Sequence, residues 1–443
     1  MDHFHYHTPN EQHNAQAQEY HAESVPLSLI AKLAGTPTYV YSDATLRRHY
    51  RILADSFVQQ GLDARIFYAM KANSNGSVLQ TLIEEGAGVD ILSEGEFRKS
   101  LLAGGTGSKT VFSGVGKSMA EIDFALQNNV FQINIESVPE LEMIEARAKA
   151  LNKIVEVGFR VNPDVDAKTH KHISTGSKEN KFGIALALIP DLFERTASME
   201  HVNAVAVATH IGSQLTSLDP YAQALDRMAE LASHLMQSGH ALKRIDIGGG
   251  LGIPYDQETP PPPHEYAAMV AKALKHLNLP IMLEPGRVLV GNAGILLTRI
   301  LFEKITETKR FIVIDAAMND LMRPALYGAY HEIIPITKPS INAALSPADI
   351  VGPVCESTDC FAKDRMMPSL QAGDLLAIRS AGAYCAAMAS TYNLRPLVAE
   401  AMVRDQQWAL VRPRQSYEAL FAADQAAPWL EKNQTFTAGS NHG

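Results

Sequence analysis

Ile66-Phe67-Tyr68-Ala69-Met70-Lys71-Ala72-Asn73 is an apolar, aromatic run that stops at one lysine and passes into a polar loop, Asn73-Ser74-Asn75-Gly76. Read as a buried strand, it delivers an amine at its C-terminal end. A partly desolvated amine there has its pKa lowered and becomes a nucleophile able to form a Schiff base. A lone lysine at a strand end is ordinarily a solvated charge. The meaning of Lys71 therefore depends on what the rest of the chain brings to it.

The run at 64–71 is the first of eight short apolar stretches, followed by 88–93, 110–114, 132–137, 155–162, 204–210, 244–250 and 281–286. Each ends in polar or glycine residues, and helical stretches fit between most of them, at 77–85, 94–103, 118–128, 138–151, 185–198, 221–238 and 263–277. Near-continuous apolar strands alternating with helices predict a buried parallel sheet with right-handed crossovers. Eight such units over about 240 residues match a (β/α)8 TIM barrel. An open doubly wound sheet uses fewer units, and Gly248-Gly249-Gly250-Leu251-Gly252 does not fit the dinucleotide fingerprint.

Outside that region the texture changes. Strand-like runs at 294–304, 311–315, 350–353, 374–378 and 408–411 lack long intervening helices and are punctuated by turns, which predicts a mainly antiparallel β domain. The strand at 37–42 precedes the barrel and is expected to join this domain. Ser42 or Asp43 then caps a helix running toward Gln60. The expected organisation is a polar leader at 1–24, mobile or lightly packed, a (β/α)8 barrel at 43–290, and a β domain built from 25–42 and 291–443.

Composition bounds the partners. The 443 residues include 39 basic and 48 acidic side chains, a net charge of −9 that disfavours nucleic acid or anionic lipid. Cys355, Cys360 and Cys385 are too few for a disulfide scaffold, and no nearby His or Cys pair completes a metal site around the first two. Residues 1–22 carry five histidines and no apolar signal-peptide core, and no later stretch has membrane-span length. A cytoplasmic location is the expectation.

Barrel active sites lie at the C-terminal strand ends. Those ends carry Lys71, Asp90 and Ser93, Ser113, Glu136, Arg160 and Asn162, His210 with Ser213, Gly248 to Gly250, and Glu284 with Gly286 and Arg287. Singly, each has a dull explanation: His210 as a core histidine, the glycines as a turn, Glu284 and Arg287 as a mutual ion pair. Together they converge on one mouth. Glycines after the seventh and eighth strands suit phosphate. A lysine nucleophile, a phosphate cradle, a flat imidazole and a carboxylate point to pyridoxal 5'-phosphate. Glu284 can keep the pyridine nitrogen protonated and the ring a strong electron sink. A racemase works better with a weaker sink, so the carboxylate tilts the chemistry toward decarboxylation.

Tyr68-Ala69-Met70-Lys71-Ala72-Asn73, His210-Ile211-Gly212-Ser213-Gln214, Gly248-Gly249-Gly250-Leu251-Gly252 and Glu284-Pro285-Gly286-Arg287 resemble the alanine-racemase-like, fold type III decarboxylases. Met318-Asn319-Asp320-Leu321-Met322-Arg323-Pro324-Ala325-Leu326-Tyr327, Gly352-Pro353-Val354-Cys355-Glu356-Ser357 and Ala381-Gly382-Ala383-Tyr384 are similar to the diaminopimelate decarboxylase family in particular. The resemblance runs from Val25 to Trp429. It implies a homodimer with active sites at the interface, converting meso-diaminopimelate to L-lysine and carbon dioxide as the last step of lysine biosynthesis. It also implies roles. The catalytic residues are Lys71, as the Schiff-base lysine, and Cys355, as a proton donor delivered from the second subunit. Asp90, His210, Ser213, Gly249, Gly250, Glu284, Gly286, Arg287 and Tyr384 join Lys71 in holding the cofactor. Arg287, Arg323, Tyr327, Glu356 and Tyr384 hold the substrate.

The chemistry of the residues agrees. A diamino dicarboxylate tied by one amine still presents a distal carboxylate, which suits arginine forks, and a distal ammonium, which suits Glu356. The departing carboxylate should face no cation, because its charge vanishes on leaving. A decarboxylase of ornithine, arginine or carboxynorspermidine is the nearest alternative, but an arginine pair would repel such cationic tails. A non-catalytic pyridoxal-binding homologue is the alternative of a different class, and it would be expected to lose the lysine or the acid.

Overall fold

The computed structural model describes residues 3–7, 18–165 and 181–429. Eight parallel strands form its centre: β1 (Ala64–Ala69), β2 (Gly88–Ile91), β3 (Thr110–Phe112), β4 (Gln132–Ile135), β5 (Val155–Asn162), β6 (Val202–Ala208), β7 (Arg244–Asp246) and β8 (Ile281–Leu283). Each pairs with the next, and β8 returns to β1 with Leu283 opposite Ile66, so the sheet closes into a barrel. Most strands stop earlier than their apolar runs. The last residues of each run leave the sheet to build the loops at the barrel mouth, and Lys71 therefore sits on a 3₁₀ turn, Met70–Ala72, rather than on β1 itself.

Serines start several of the surrounding helices. Ser42 accepts a hydrogen bond from the Thr45 amide at 3.1 Å, so Ser42 is the cap and Asp43 lies in the first turn. Ser93 and Ser137 act likewise, and Ser118 with Glu121 forms a reciprocal capping box. Among the described residues no helix is long and apolar enough to cross a membrane.

The barrel interior is polar for a core. Gln132, Asn134 and Asp246 are fully buried inside it. A Cβ on Gly158 would fall 2.8–2.9 Å from the amides of Gln132 and Asn134, so only glycine leaves them room. At the closed end Arg244 bonds Gln132 and Glu156, both at 2.6 Å, and lies 4.2 Å from the Phe131 ring centre.

The second sheet runs in the order Cys360–Met367, Ser346–Val351, Arg310–Ile314, Gly294–Ile305, Thr38–Ser42, Ala399–Arg404 and Gln407–Arg412. The early strand enters it as expected. Most pairings are antiparallel, but Arg310–Ile314 with Ser346–Val351 and Ala399–Arg404 with Thr38–Ser42 are parallel. The expectation of a mobile or lightly packed leader is corrected for its described parts. Phe4–His7 pairs antiparallel with Glu19–Ala22, and Phe4, Tyr20 and Ala22 are buried against Leu27 and Ile30.

One buried acid joins the β sheet to the barrel mouth. Glu400 accepts from Tyr41 Oη and Asn75 Nδ2, both at 2.8 Å, and pairs with Arg412. Asn75 belongs to the loop after Lys71 and caps the following helix. Removing the acid strands two buried donors and a half-buried cation. Glu400→Ala is expected to lower unfolding free energy by about 2–4 kcal/mol, measured by urea titration; a change within error would refute this account of the junction.

Candidate active site

The turn carrying Lys71 is clamped from both sides. The Ala69 amide donates to Pro285 O at 3.0 Å, and Tyr68 Oη donates to Asn73 O at 2.9 Å. From the β domain, the Tyr384 amide donates to Ala72 O at 2.7 Å and Gly382 O accepts from Asn73 Nδ2 at 3.0 Å. The expectation that desolvation leaves the amine with a lowered pKa is corrected. Burial does push it down, but Asp90, Tyr384 and Glu284 push it up, and the net direction is upward.

Asp90 lies across from Ala69 in the β1–β2 register and is fully buried, with neither carboxyl oxygen meeting a donor at good geometry. Burial, and then the charge of Glu284, raise it to about 7. Glu284 follows β8 and receives Asn134 Nδ2 at 3.2 Å and Ser113 Oγ at 3.4 Å. Its carboxyl is raised well above the ordinary range by burial and by Asp246, to which it is hydrogen-bonded. Asp246 is itself raised to about 6, mainly by burial. Two carboxyls in contact cannot both ionise cheaply, so this pair shares a proton. Asp246 also accepts from the Gly248 amide at 2.9 Å and ties the acid pair to the glycine loop.

His210 Nδ1 accepts from the Gly249 amide at 3.2 Å, which places its proton on Nε2. Burial, with Lys71 and Arg160 nearby, holds its pKa well below the usual value, so the ring is neutral. The loop beneath it admits only glycine. A Cβ on Gly249 would lie 2.1 Å from Glu284 O, and one on Gly250, at φ +107°, would lie 2.2 Å from Gly212 O.

A cavity of about 460 Å³ opens above Lys71 and His210, bounded by Ser213, Tyr255, Arg287, Arg323, Tyr327 and Tyr384. Arg287 Nη1 donates to Tyr255 Oη at 2.6 Å and Nη2 to Ser213 Oγ at 3.1 Å, and its guanidinium lies 4.8 Å from the Tyr384 ring centre. Glu284 and Arg287 do not pair with each other; each has its own partners. Arg323 Nη1 donates to His331 Nε2 at 2.8 Å and packs 4.4 Å from the Tyr255 ring centre.

Cys355 and Glu356 are not brought to this cavity within the chain. Both are exposed, on a turn held by Asp359, whose carboxylate accepts from the Val354 and Met318 amides at 2.7 Å.

Comparison with known proteins decides the family. The family described as "Pyridoxal-dependent decarboxylase, pyridoxal binding domain" matches residues 43–291. The diaminopimelate decarboxylase of Vibrio cholerae is 47% identical over 408 residues, covering 92% of this chain and 97% of its own. The chain belongs to the diaminopimelate decarboxylase family. The Pseudomonas aeruginosa member is 46% identical over 93% of this chain and 98% of its own. A crystal structure of the Helicobacter pylori diaminopimelate decarboxylase, complexed with L-lysine, superposes with a TM-score of 0.86 at 40% identity, covering 89% of this chain and 98% of that one.

The residues present fit the pyridoxal group for which this family's domain is described. Lys71 supplies the amine, the Gly249–Gly250 cradle excludes any side chain, His210 offers a neutral ring, and the buried carboxyls of Asp90 and Glu284 wait without a full set of donors. Sequence reading missed Asp246, Asn134, Tyr255, His331 and Asp359. Asp246 was within reach, since an aspartate two residues before a glycine loop commonly accepts its amide. The others carry no local signal.

His331 is fully buried, and burial with Arg323 beside it lowers its pKa to about 3. Arg287 and Arg365 act in the same direction, and the bond to Arg379 O opposes them. Between the unfolded value of 6.5 and about 3 the unfolded chain binds the extra proton. The stability that this site contributes is complete above pH 6.5 and is lost as pH falls. The loss from this group at about pH 4.5 is on the order of 2–3 kcal/mol. His331→Gln, which cannot take up a proton, is expected to shrink the stability difference between pH 7 and about pH 4.5 by that order. Urea denaturation at the two pH values measures it, and equal losses in both proteins would contradict this assignment.

Proposed function

We propose that this chain removes one carboxylate from meso-2,6-diaminopimelate, releasing L-lysine and carbon dioxide, with pyridoxal 5'-phosphate attached through Lys71. The observation that carries the substrate is a pair of unspent cations. Arg287 and Arg323 are both buried, and among the described residues neither meets a carboxylate. Buried guanidiniums without acid partners are costly unless an anion arrives with the ligand. A diamino dicarboxylate brings one at the end that does not react, whereas ornithine, arginine or carboxynorspermidine would bring a cationic tail. L-lysine, present in the solved Helicobacter pylori relative, keeps that same carboxylate.

Bound at Lys71, the cofactor supplies an electron sink for the pair left when the bond to the departing carboxylate breaks. The chain's own residues do the rest. Gly249, Gly250, Gly286 and Ser213 would hold the phosphate, and His210, kept neutral, would lie on the ring face. Glu284 would face the ring nitrogen, and the proton it shares with Asp246 is already stored there. Tyr384 and Arg287 bridge the cofactor and substrate ends of the cavity, and Tyr327 lines the substrate end. Cys355 and Glu356 of the partner subunit would complete the site. Cys355 Sγ gives its proton to the α-carbon after carbon dioxide leaves, a step worth about 10²–10⁴-fold for a positioned acid. Glu356 takes the distal ammonium.

Borohydride reduction followed by peptide mass spectrometry is expected to find the cofactor on Lys71. Lys71→Ala should abolish both the trapped adduct and carbon dioxide release from labelled diaminopimelate. An adduct elsewhere, or faster turnover of ornithine, would overturn the assignment. The shared site has its own test. Lys71→Ala and Cys355→Ala proteins, each inactive or nearly so alone, should recover about a quarter of wild-type activity when unfolded together and refolded as mixed dimers. No recovery, with mixed dimers demonstrated, would place Cys355 outside the partner's site.

A further inference from the structure

Arg323 reaches the cavity through a side chain that no sequence motif marks. His331 follows the short helix Arg323–Tyr327, and its ring is fully buried. Its Nδ1 lies 2.8 Å from Arg379 O and its Nε2 lies 2.8 Å from Arg323 Nη1. A carbonyl oxygen only accepts and a guanidinium only donates. Nδ1 must therefore carry the single proton and Nε2 must be bare. The geometry alone makes the imidazole neutral and leaves one tautomer.

Both ends of this contact are held by further contacts. Arg379 lies one residue past a strand paired to Ile333–Pro335, and its amide donates to Glu332 O at 2.8 Å. Tyr255 forms the third wall, presenting its face to Arg323 and meeting the His331 ring at 5.4 Å and 78°. The charged groups around His331 are Arg323, Arg287 and Arg365, together with Arg379, which is already paired with Glu332. The buried Cys385 also lies near Arg323, and burial keeps its thiol, which donates to Ala383 O at 3.3 Å, protonated. Every partner of Arg323 is thus uncharged.

We infer that His331 is a positioning residue for substrate selection: as a neutral acceptor it aims Arg323 at the distal carboxylate without cancelling its charge. An aspartate or glutamate could hold the guanidinium equally well, but it would neutralise the anchor and repel the ligand's anion. A leucine would leave the charge but release its direction. The inference rests on the reading of Arg323 as a carboxylate anchor.

Lysine and cadaverine separate the two ideas, because they share one diamine skeleton and only lysine keeps the carboxylate. Isothermal titration of the holoenzyme should show wild-type protein preferring lysine. His331→Leu should reduce that preference by about tenfold, raising KM for diaminopimelate more than it lowers kcat. His331→Gln, which retains an acceptor, should recover most of the preference. His331→Glu should lose more than leucine does, although it too can hold the arginine. The glutamine and glutamate variants carry the test if the leucine variant does not fold. Wild-type preference and KM retained in His331→Glu would overturn the role of His331 while leaving the reaction standing. Wild-type protein that binds both ligands equally would overturn the anchor. Absence of carbon dioxide release from diaminopimelate would remove the reading beneath both.

Discussion

A buried ammonium beside buried carboxyls is the constraint around which the barrel mouth is arranged. Lys71 is desolvated, and its charge is tolerable because Asp90 and Glu284 stand next to it. Those acids are desolvated in turn, which works against their ionisation. The lysine favours their ionised forms and they favour its charged form, so no member has a proton affinity of its own. Asn134 and Asp246 extend the unit, and their polar side chains occupy volume that a barrel usually fills with aliphatic layers. Gly158 makes room for them, because a Cβ there would displace the Gln132 and Asn134 amides. The local charge balance thus reaches down into the packing of the barrel.

On the opposite wall of the cavity the logic is reversed. Arg287 and Arg323 are surrounded by hydroxyls, rings, a thiol and a neutral imidazole, each able to orient a guanidinium and none able to neutralise it. Most of these partners come from outside the barrel strands: Tyr255 from the loop after β7, His331, Tyr384 and Cys385 from the β domain. The β domain therefore does more than cover the barrel. It also grips the Lys71 turn through Gly382 and Tyr384, so a shift of that domain would disturb both ends of the cavity together.

The barrel was legible because buried parallel strands alternating with amphipathic helices leave a pattern that few other folds share. Strand ends were less so. An apolar run continues into the mouth, where the same side chains pack against loops, and only the hydrogen-bond ladder shows where the sheet stops. The two parallel pairings of the β domain join segments far apart in sequence, which local periodicity cannot reveal. Glycine positions such as Gly249 were readable because their crowding leaves no other residue type. His331 and Asn134 were not, since an isolated polar residue acquires meaning only from what folding places against it. The direction of the Lys71 shift was missed for the same reason: burial was foreseeable, but the balance against Asp90 and Glu284 was not.

Cys355 poses the remaining problem of geometry. An acid that protonates one carbon on one face must be held as firmly as the group it serves, and exposed loops are usually poor at this. The turn around Cys355 is not an ordinary loop. Asp359 collects amides from Val354 and Met318, and its carboxylate fills the position that a Cβ on Gly352 would need. The Asn393 side chain accepts from the Cys355 amide from a third segment. A turn fixed from three directions, with its thiol and the neighbouring carboxylate facing outward, is preorganised for a surface that this chain alone does not supply. A second copy, as proposed, would meet that requirement at little cost in ordering, because the turn is already held by bonds within the single chain.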